Sequence, residues 1–386
     1  MVAGANCFTA MAEFAASKLA WLRLYAPLEN GAPSHDTFRY VFLLLKPTCF
    51  HAQLREALGE AVIKPGQHIA ADGKSMRGTA SPTWQKGALH VLRAYVNQSG
   101  LSILYQPCDA KSNEITALPE LLAGIALEGC TVTMDAMGCQ TAIAKQITDQ
   151  GGDYLINLQP NQGAAYKAVE EYAKTLFESI ATLHPHAHVP APAPLKAMTE
   201  AMAQGQPLAP WSEQQRLKQV EQAKCKLAEF DSYCSEELNH GRYERREVYV
   251  SHDLSWWPKS WKWQGLQSVI IVNRTTHRGG ARRDSSPTQE VSYYLGSAKL
   301  GAEPFATLIR DHWAVETAHH VLDVTFNEDH CQVRDHNAAL NLSMLRDLAA
   351  AALKRNPSKA SLPNKRLKAA WSEAFLTQIV ASIFHT

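Results

Sequence analysis

Thr131-Val132-Thr133-Met134-Asp135 is a β-branched, apolar run that stops at a carboxylate, and His68-Ile69-Ala70-Ala71-Asp72 upstream of it does the same. Each run predicts a short strand ending in an acid. Between them, His90 to Val96 and Leu101 to Gln106 alternate as two strands joined by the turn Asn97-Gln98-Ser99-Gly100, and Ile115 to Ile125 predicts a helix with Pro119 near its first turn. After Asp135 the pattern continues with a helix over 142–150, a strand over 154–158 and a helix from about 164 to 177. Three strands, then alternating helices and strands, predict a mixed α/β layer. If the two acid-tipped strands are parallel neighbours, both carboxylates leave the sheet at the edge where ligands collect in such folds. Two carboxylates held close repel, and a divalent cation with oxygen ligands, Mg²⁺ or Mn²⁺, relieves that repulsion. The plainer reading is that each Asp caps the loop that follows it.

Composition sets the outer limits. The chain has 386 residues, enough for about two or three domains. Its 38 Lys and Arg against 37 Asp and Glu leave a formal charge of +1, which excludes bulk-charge binding to nucleic acid but leaves room for a local basic groove. Apolar runs such as Val41-Phe42-Leu43-Leu44-Leu45 are far too short to cross a bilayer, and no basic segment precedes the N-terminal apolar residues, so no membrane and no signal peptide are expected. The eight cysteines form no CxxC pair and suit free thiols in a cytoplasmic protein.

Outside this layer, residues 1–60 carry helical periodicity, broken at Gly31-Ala32-Pro33-Ser34, where Ser34 is the expected N-cap of a second helix. Residues 180–225 are rich in Pro and Ala and predict a loose excursion. Strands return over 243–250, 268–273 and 290–295, and helices over about 304–324 and 337–353. The first of these two helices places His312, Glu316, His319, His320 and Asp323 on or near one face, a poor composition for pure core.

In order along the chain stand Pro33-Ser34-His35-Asp36-Thr37-Phe38, Ile69-Ala70-Ala71-Asp72-Gly73-Lys74, Asp109-Ala110-Lys111-Ser112-Asn113-Glu114, Thr133-Met134-Asp135-Ala136-Met137-Gly138, His240-Gly241-Arg242-Tyr243-Glu244-Arg245, His312-Trp313-Ala314-Val315-Glu316 and Leu322-Asp323-Val324-Thr325-Phe326. Any one is weak; in this order they resemble the ISAs1-family transposases, DDE enzymes of the IS4-like group that include the H-repeat-associated proteins. The resemblance implies an α/β, RNase H-like mixed sheet with flanking helices, interrupted by a β-rich insertion and preceded by a short helical domain. It implies a helical N-terminal domain over 1–60, a catalytic core over 61–178, a linker and insertion over 179–300, core helices over 301–355 and a basic tail over 356–386. It further implies catalysis and metal binding by Asp72, Asp135 and Glu316. Asp72 would bridge two Mg²⁺ (or Mn²⁺) ions, and Asp135 and Glu316 would hold one each. Lys74, Lys111, Arg242, Arg245 and His312 would contact DNA phosphate. The partners implied are inverted-repeat ends and target DNA, with a homodimer assembled on DNA.

The chain departs from the family pattern in places. Gln159 stands where the family has Lys, Ala110 where it has Glu, His320 where it has Trp and Gln332 where it has Arg. Met1 falls inside the expected N-terminal domain, implying truncation. These departures keep open a catalytically decayed or repurposed DNA-binding derivative. A third reading, a transition-metal site built from His312, His319, His320, His330, Cys331 and His336, lacks standard zinc spacing.

Overall fold

The structure is a computed structural model that describes residues 1–57, 63–81, 83, 87–108, 114–183, 213–239, 242–278 and 287–384. It divides into two compact units, the first formed by residues 1–132, 150–152 and 311–386, the second by 133–149 and 153–310. The division passes through strand β4 (Thr131–Met134) and through helix α9 (Ala302–Val324).

In the first unit, β1 (His68–Met76), β2 (Leu89–Val96) and β3 (Leu101–Cys108) form an antiparallel sheet in the order β3-β2-β1. The expected hairpin is present, and Gly100 supplies the positive φ that closes its turn. The start of β4 is tied beside β1 by Thr131 N–H donating to Gln67 O at 3.0 Å. β2 is buried along its whole length, His90 and Arg93 included, as befits a central strand covered on both faces. β1 runs four residues beyond Asp72, because Lys74 and Met76 continue the buried pattern. Asp72 therefore sits inside a strand opposite Arg93, not at its end as the sequence predicted.

Helices fill the rest of this unit: α1 (Phe8–Ser17), α2 (Leu19–Leu22), α3 (His35–Leu44), α4 (Pro47–Ala57), α5 (Glu114–Ala123), the 311–324 portion of α9, α10 (His336–Arg355), α11 (Leu362–Trp371) and α12 (Glu373–Phe384). Ser34 caps α3, its hydroxyl accepting from Thr37 N–H at 3.2 Å. Pro119 lies in the second turn of α5. Ala349, Ala350, Ala352 and Leu353 of α10 are buried with Leu322, Phe326, Phe375, Leu376, Ile379 and Trp21. The small side chains let neighbouring helices approach α10 closely, and its interior position buries even its Asn341, Ser343, Arg346 and Asp347.

Where a basic tail was expected over 356–386, residues Leu362–Trp371 and Glu373–Phe384 form the two helices that close this core. Lys365 donates to the carbonyls of Leu353 and Asn356 at 2.9 and 2.7 Å, capping the end of α10. Arg366 donates to Met1 O and Asn6 Oδ1 and stacks on Phe326 at 4.4 Å. Both side chains are buried, so they cannot form part of an open DNA-binding patch.

The second unit holds the end of β4, α6 (Thr141–Asp149), β5 (Asp153–Leu158), α7 (Gly163–Leu183), α8 (Glu213–Leu227) and strands β6 (Phe230–Asn239), β7 (Arg242–Ser251), β8 (Ser268–Arg278) and β9 (Thr288–Gly296). The order from β5 is β5-β9-β8-β7-β6, antiparallel throughout. Val248, Val250, Ile270 and Val272 turn alternate side chains toward Phe305 and Ile309 of the 302–310 portion of α9. Asp231 on β6 accepts from Ala302 N–H at 2.7 Å and starts that helix. β6 has no counterpart in the sequence reading: Phe230, Ser232, Cys234, Glu236 and Leu238 alternate with Asp231, Tyr233, Ser235 and Glu237, so neither face of this edge strand carries an apolar run. Among the described residues no helix is long and apolar enough to cross a membrane.

Candidate active site

The first unit brings β1 against the 311–324 portion of α9. Val315 and Ala318 pack on Ala70 and Tyr95, which fixes the helix over the strand and turns His319 and Asp323 toward it. Asn97, in the hairpin turn, donates to Asp311 O at 2.7 Å and lies 2.8 Å from His68 Nδ1, pinning the helix to the start of β1. Burial, with the charge of His312 adding to it, lowers the His68 pKa to about 4. That ring is neutral at physiological pH and accepts at Nδ1. The sequence reading marked the Asn97 turn but not this role; an amide in a two-strand turn carries no signal of a partner more than two hundred residues away.

Asp72 accepts from Gly73 N–H at 2.8 Å through Oδ1, and His319 Nδ1 stands 3.2 Å from Oδ2. Burial would raise its pKa, but the hydrogen bond and charge of His319, the Gly73 N–H and the charge of His312 together bring it below the ordinary carboxylate value. Asp72 is therefore ionised at neutral pH. Glu316 is exposed on the same helix portion, three residues before His319. His319 is the buried imidazole of the predicted polar face; His320 is exposed.

Asp135 belongs to the second unit. It follows β4, accepts from Ala136 N–H at 2.5 Å and is exposed. The capping role weighed for both acids thus describes Asp135 directly. Asn161 and Gln162 bracket the same turn, donating to Ala136 O and Cys139 O. Among the described residues no group of three or more His, Cys, Asp or Glu side chains stands ready to hold a metal ion.

The expected phosphate contacts divide. Lys74 is only 7% exposed, and its ammonium stands 2.6 Å from Asp323, 3.2 Å from Asp329 and 4.0 Å from Glu328. It is a buried ion-pair partner, not an open phosphate ligand, because three acids already neutralise it. Lys111 lies outside the described residues. Arg242 and Arg245 are exposed on β7. Arg245 is shared between Glu236 at 3.1 Å and Glu247 at 2.8 Å. His312 is half-buried on α9.

Behind Lys74 lies a charge network that the sequence did not announce. Glu328 is 0% exposed and receives Arg93 at 3.1 Å, Arg346 at 3.7 Å and a hydrogen bond from Ser343 at 2.8 Å. A buried charge needs such partners, since an isolated one is prohibitively costly.

Residues 63–353 match the Transposase DDE domain family, and residues 1–57 match the DDE_Tnp_1-associated family. The chain belongs to the DDE transposase family. It is 33% identical to the H repeat-associated putative transposase YhhI of Escherichia coli K12, over 99% of this chain and 89% of that protein. It is 30% identical to the putative transposase YncI of Escherichia coli O157:H7, over 99% and 86%. These relatives support an IS4-like DDE transposase, as the resemblance implied. A cryo-EM structure of the piggyBac transposase synaptic complex with hairpin DNA covers 97% of this chain and 70% of its own, at 9% identity and TM-score 0.38, a likeness too slight to carry an argument. Transposases of the DDE type act on DNA and generally use divalent metal ions.

Proposed function

We propose that this transposase, of the ISAs1 group, cuts DNA at the ends of an insertion sequence and joins the freed 3′-OH to target DNA, using Asp72, Asp135 and Glu316 on an RNase H-like core. The observation that carries the reading is Asp72: an ionised, largely enclosed carboxylate on a central strand, with Glu316 on the helix packed over that strand. Three carboxylates are hard oxygen donors and fit two Mg²⁺ or Mn²⁺ ions. Such ions would activate the attacking water or 3′-OH and neutralise charge on the scissile phosphate. His319 and the Gly73 N–H hold the Asp72 carboxylate in one orientation. Exposed Arg242 and Arg245 and half-buried His312 are the groups offered to the DNA backbone. The DNA-bound form is a homodimer in this reading.

The test uses a supercoiled plasmid carrying the sequences that flank this reading frame, with Mg²⁺ or Mn²⁺. Asp72→Asn, Asp135→Asn and Glu316→Gln should each abolish nicking and strand joining while circular dichroism stays unchanged. Cleavage at near wild-type rate by any one of them removes that residue from the mechanism. The second reading, a DNA-binding derivative without catalysis, is favoured by Gln159, Ala110, His320 and Gln332, which stand where the family has Lys, Glu, Trp and Arg. It predicts retarded end DNA in a gel and no nicking by the wild-type protein with either ion.

A further inference from the structure

A cavity of about 770 Å³ opens in the first unit between the start of α1, α3 and the segment from Asn327 to Ala338. That volume is within the range of small-ligand sites. One wall is apolar: Phe8, Leu43 and Val333 line it and belong to the cluster around Phe42 and Leu342. The basic side of the cavity carries Arg39, Arg334 and Arg346 against the single carboxylate of Asp335, with Arg334 Nη1 already donating to Gly78 O. Asp335 is already used, accepting from Ala338 N–H at 2.8 Å to cap α10. Asp36, which does not line the cavity, lies 3.3 Å from Nε2 of the lining residue His35.

Arg346 forms the floor. It is 1% exposed, Nη2 donates to Asn6 O at 3.3 Å, and Nη1 stands 3.7 Å from Glu328. Nε and Nη1 nevertheless have no hydrogen-bond partner. Arg346 is thus ion-paired with Glu328 on one side and still carries two buried N–H groups without an acceptor, a cation whose potential is weakly screened. Arg39 stands exposed at the rim and, among the described residues, has no ion pair.

We propose that this cavity is a nucleotide site, taking a phosphate on its basic side and a planar base against the Phe8–Leu43–Val333 wall. The nucleotide is either free or an unpaired residue of a DNA strand. The proposal draws on the DNA-handling reading only for the source of that nucleotide; it does not require the three acids to be catalytic.

Cys7 lines the cavity and is exposed, which supplies a reporter. Full-length protein is alkylated with iodoacetamide, and rates at Cys7 and at Cys225, an exposed thiol in the other unit, are read by peptide mass spectrometry. AMP, adenosine and a short single-stranded oligonucleotide are the probes. AMP should slow Cys7 at least fivefold and leave Cys225 unchanged, and adenosine should need at least tenfold higher concentration. Protection by AMP and oligonucleotide marks a site for either source; protection by the oligonucleotide alone marks a strand-borne nucleotide. Arg39→Glu, a rim substitution that disturbs no packing, should weaken protection tenfold or more. Asp72→Asn should leave protection intact, so failure of strand cleavage and failure of this site are separate results. No protection by either phosphate-bearing probe, equal slowing at Cys225, or an unchanged concentration dependence in Arg39→Glu overturns the proposal.

Discussion

Glu328→Gln replaces one oxygen with an amide and removes one charge from the most enclosed acid of the first unit. Burial pushes the Glu328 pKa up, but the charges of Arg93, Arg346 and Lys74 and the Ser343 hydroxyl bring it from 4.5 down to about 2. That drop corresponds to about 3 kcal/mol of stability at neutral pH, at roughly 1.4 kcal/mol per pH unit. An independent route agrees: removing one partner of a buried ion pair costs about 3–5 kcal/mol, because the remaining charge stays buried. The folded carboxyl holds its proton less tightly than the unfolded one. Its contribution is therefore complete above pH 4.5 and disappears as pH falls through about 2. Urea unfolding of the full chain gives the loss at pH 7, and amide exchange in the β1 and β2 peptides localises it. Repeating both measurements from pH 7 down to pH 3 should show the gap between wild type and variant narrowing on acidification. A loss below about 1 kcal/mol at pH 7, or a gap that does not narrow, would refute the view that Glu328 is the anionic centre of the network.

Gly73→Ala would place a Cβ 2.5 Å from Glu114 Oε1 and 2.6 Å from His90 Nε2, which are themselves paired at 2.5 Å. The overpacking should cost about 1–3 kcal/mol in thermal unfolding, and an unchanged Tm would show that the pair yields freely. Lys365→Met removes the cap on Leu353 O and Asn356 O and should cost about 1–3 kcal/mol, while the salt dependence of DNA binding stays the same. A shallower salt slope would return Lys365 to the DNA interface. Asp231→Ala deletes the acceptor for Ala302 N–H and should destabilise the second unit by about 1 kcal/mol, read by urea unfolding; no change would mean that α9 starts without it.

The elements that were legible in the sequence share a cause. The hairpin over 89–108, the Ser34 cap and the long helices each carry their signal within a dozen residues, as turn chemistry or periodicity. What was misread depends on partners distant in the chain. The strand holding Asp72 continues because Lys74, a charged residue that ordinarily ends a buried run, finds Asp323 and Asp329 across the fold. A basic tail was expected over 356–386 because nothing in the spacing of its Lys and Arg shows that Lys365 and Arg366 would meet backbone carbonyls. Asp72, Asp135 and Glu316 were chosen on pattern. The geometry gives each a position, and the neighbour it supplies to Asp72 is His319, which the helical spacing had placed on the same face as Glu316.

The pairing of β1 with α9 has a geometric basis. Asp72 and Lys74 are two apart on a strand, so they share a face and lie roughly 6.6 Å apart along it. His319 and Asp323 are four apart on a helix, so they too share a face, at about 6 Å. The two spacings match closely enough for both rungs to form at once, Asp72 with His319 at 3.2 Å and Lys74 with Asp323 at 2.6 Å. The polarity reverses between rungs, acid on the strand in one and on the helix in the other, so a slip that set Asp72 against Asp323 would bring like charges together. Gly73 between the strand residues leaves room behind for the buried His90–Glu114 pair, where any Cβ would collide. Asp72-Gly73-Lys74 thus sets the register of the strand against the helix that carries Glu316. Lys74 acts on the candidate site through that register, and its charge is satisfied without reaching DNA.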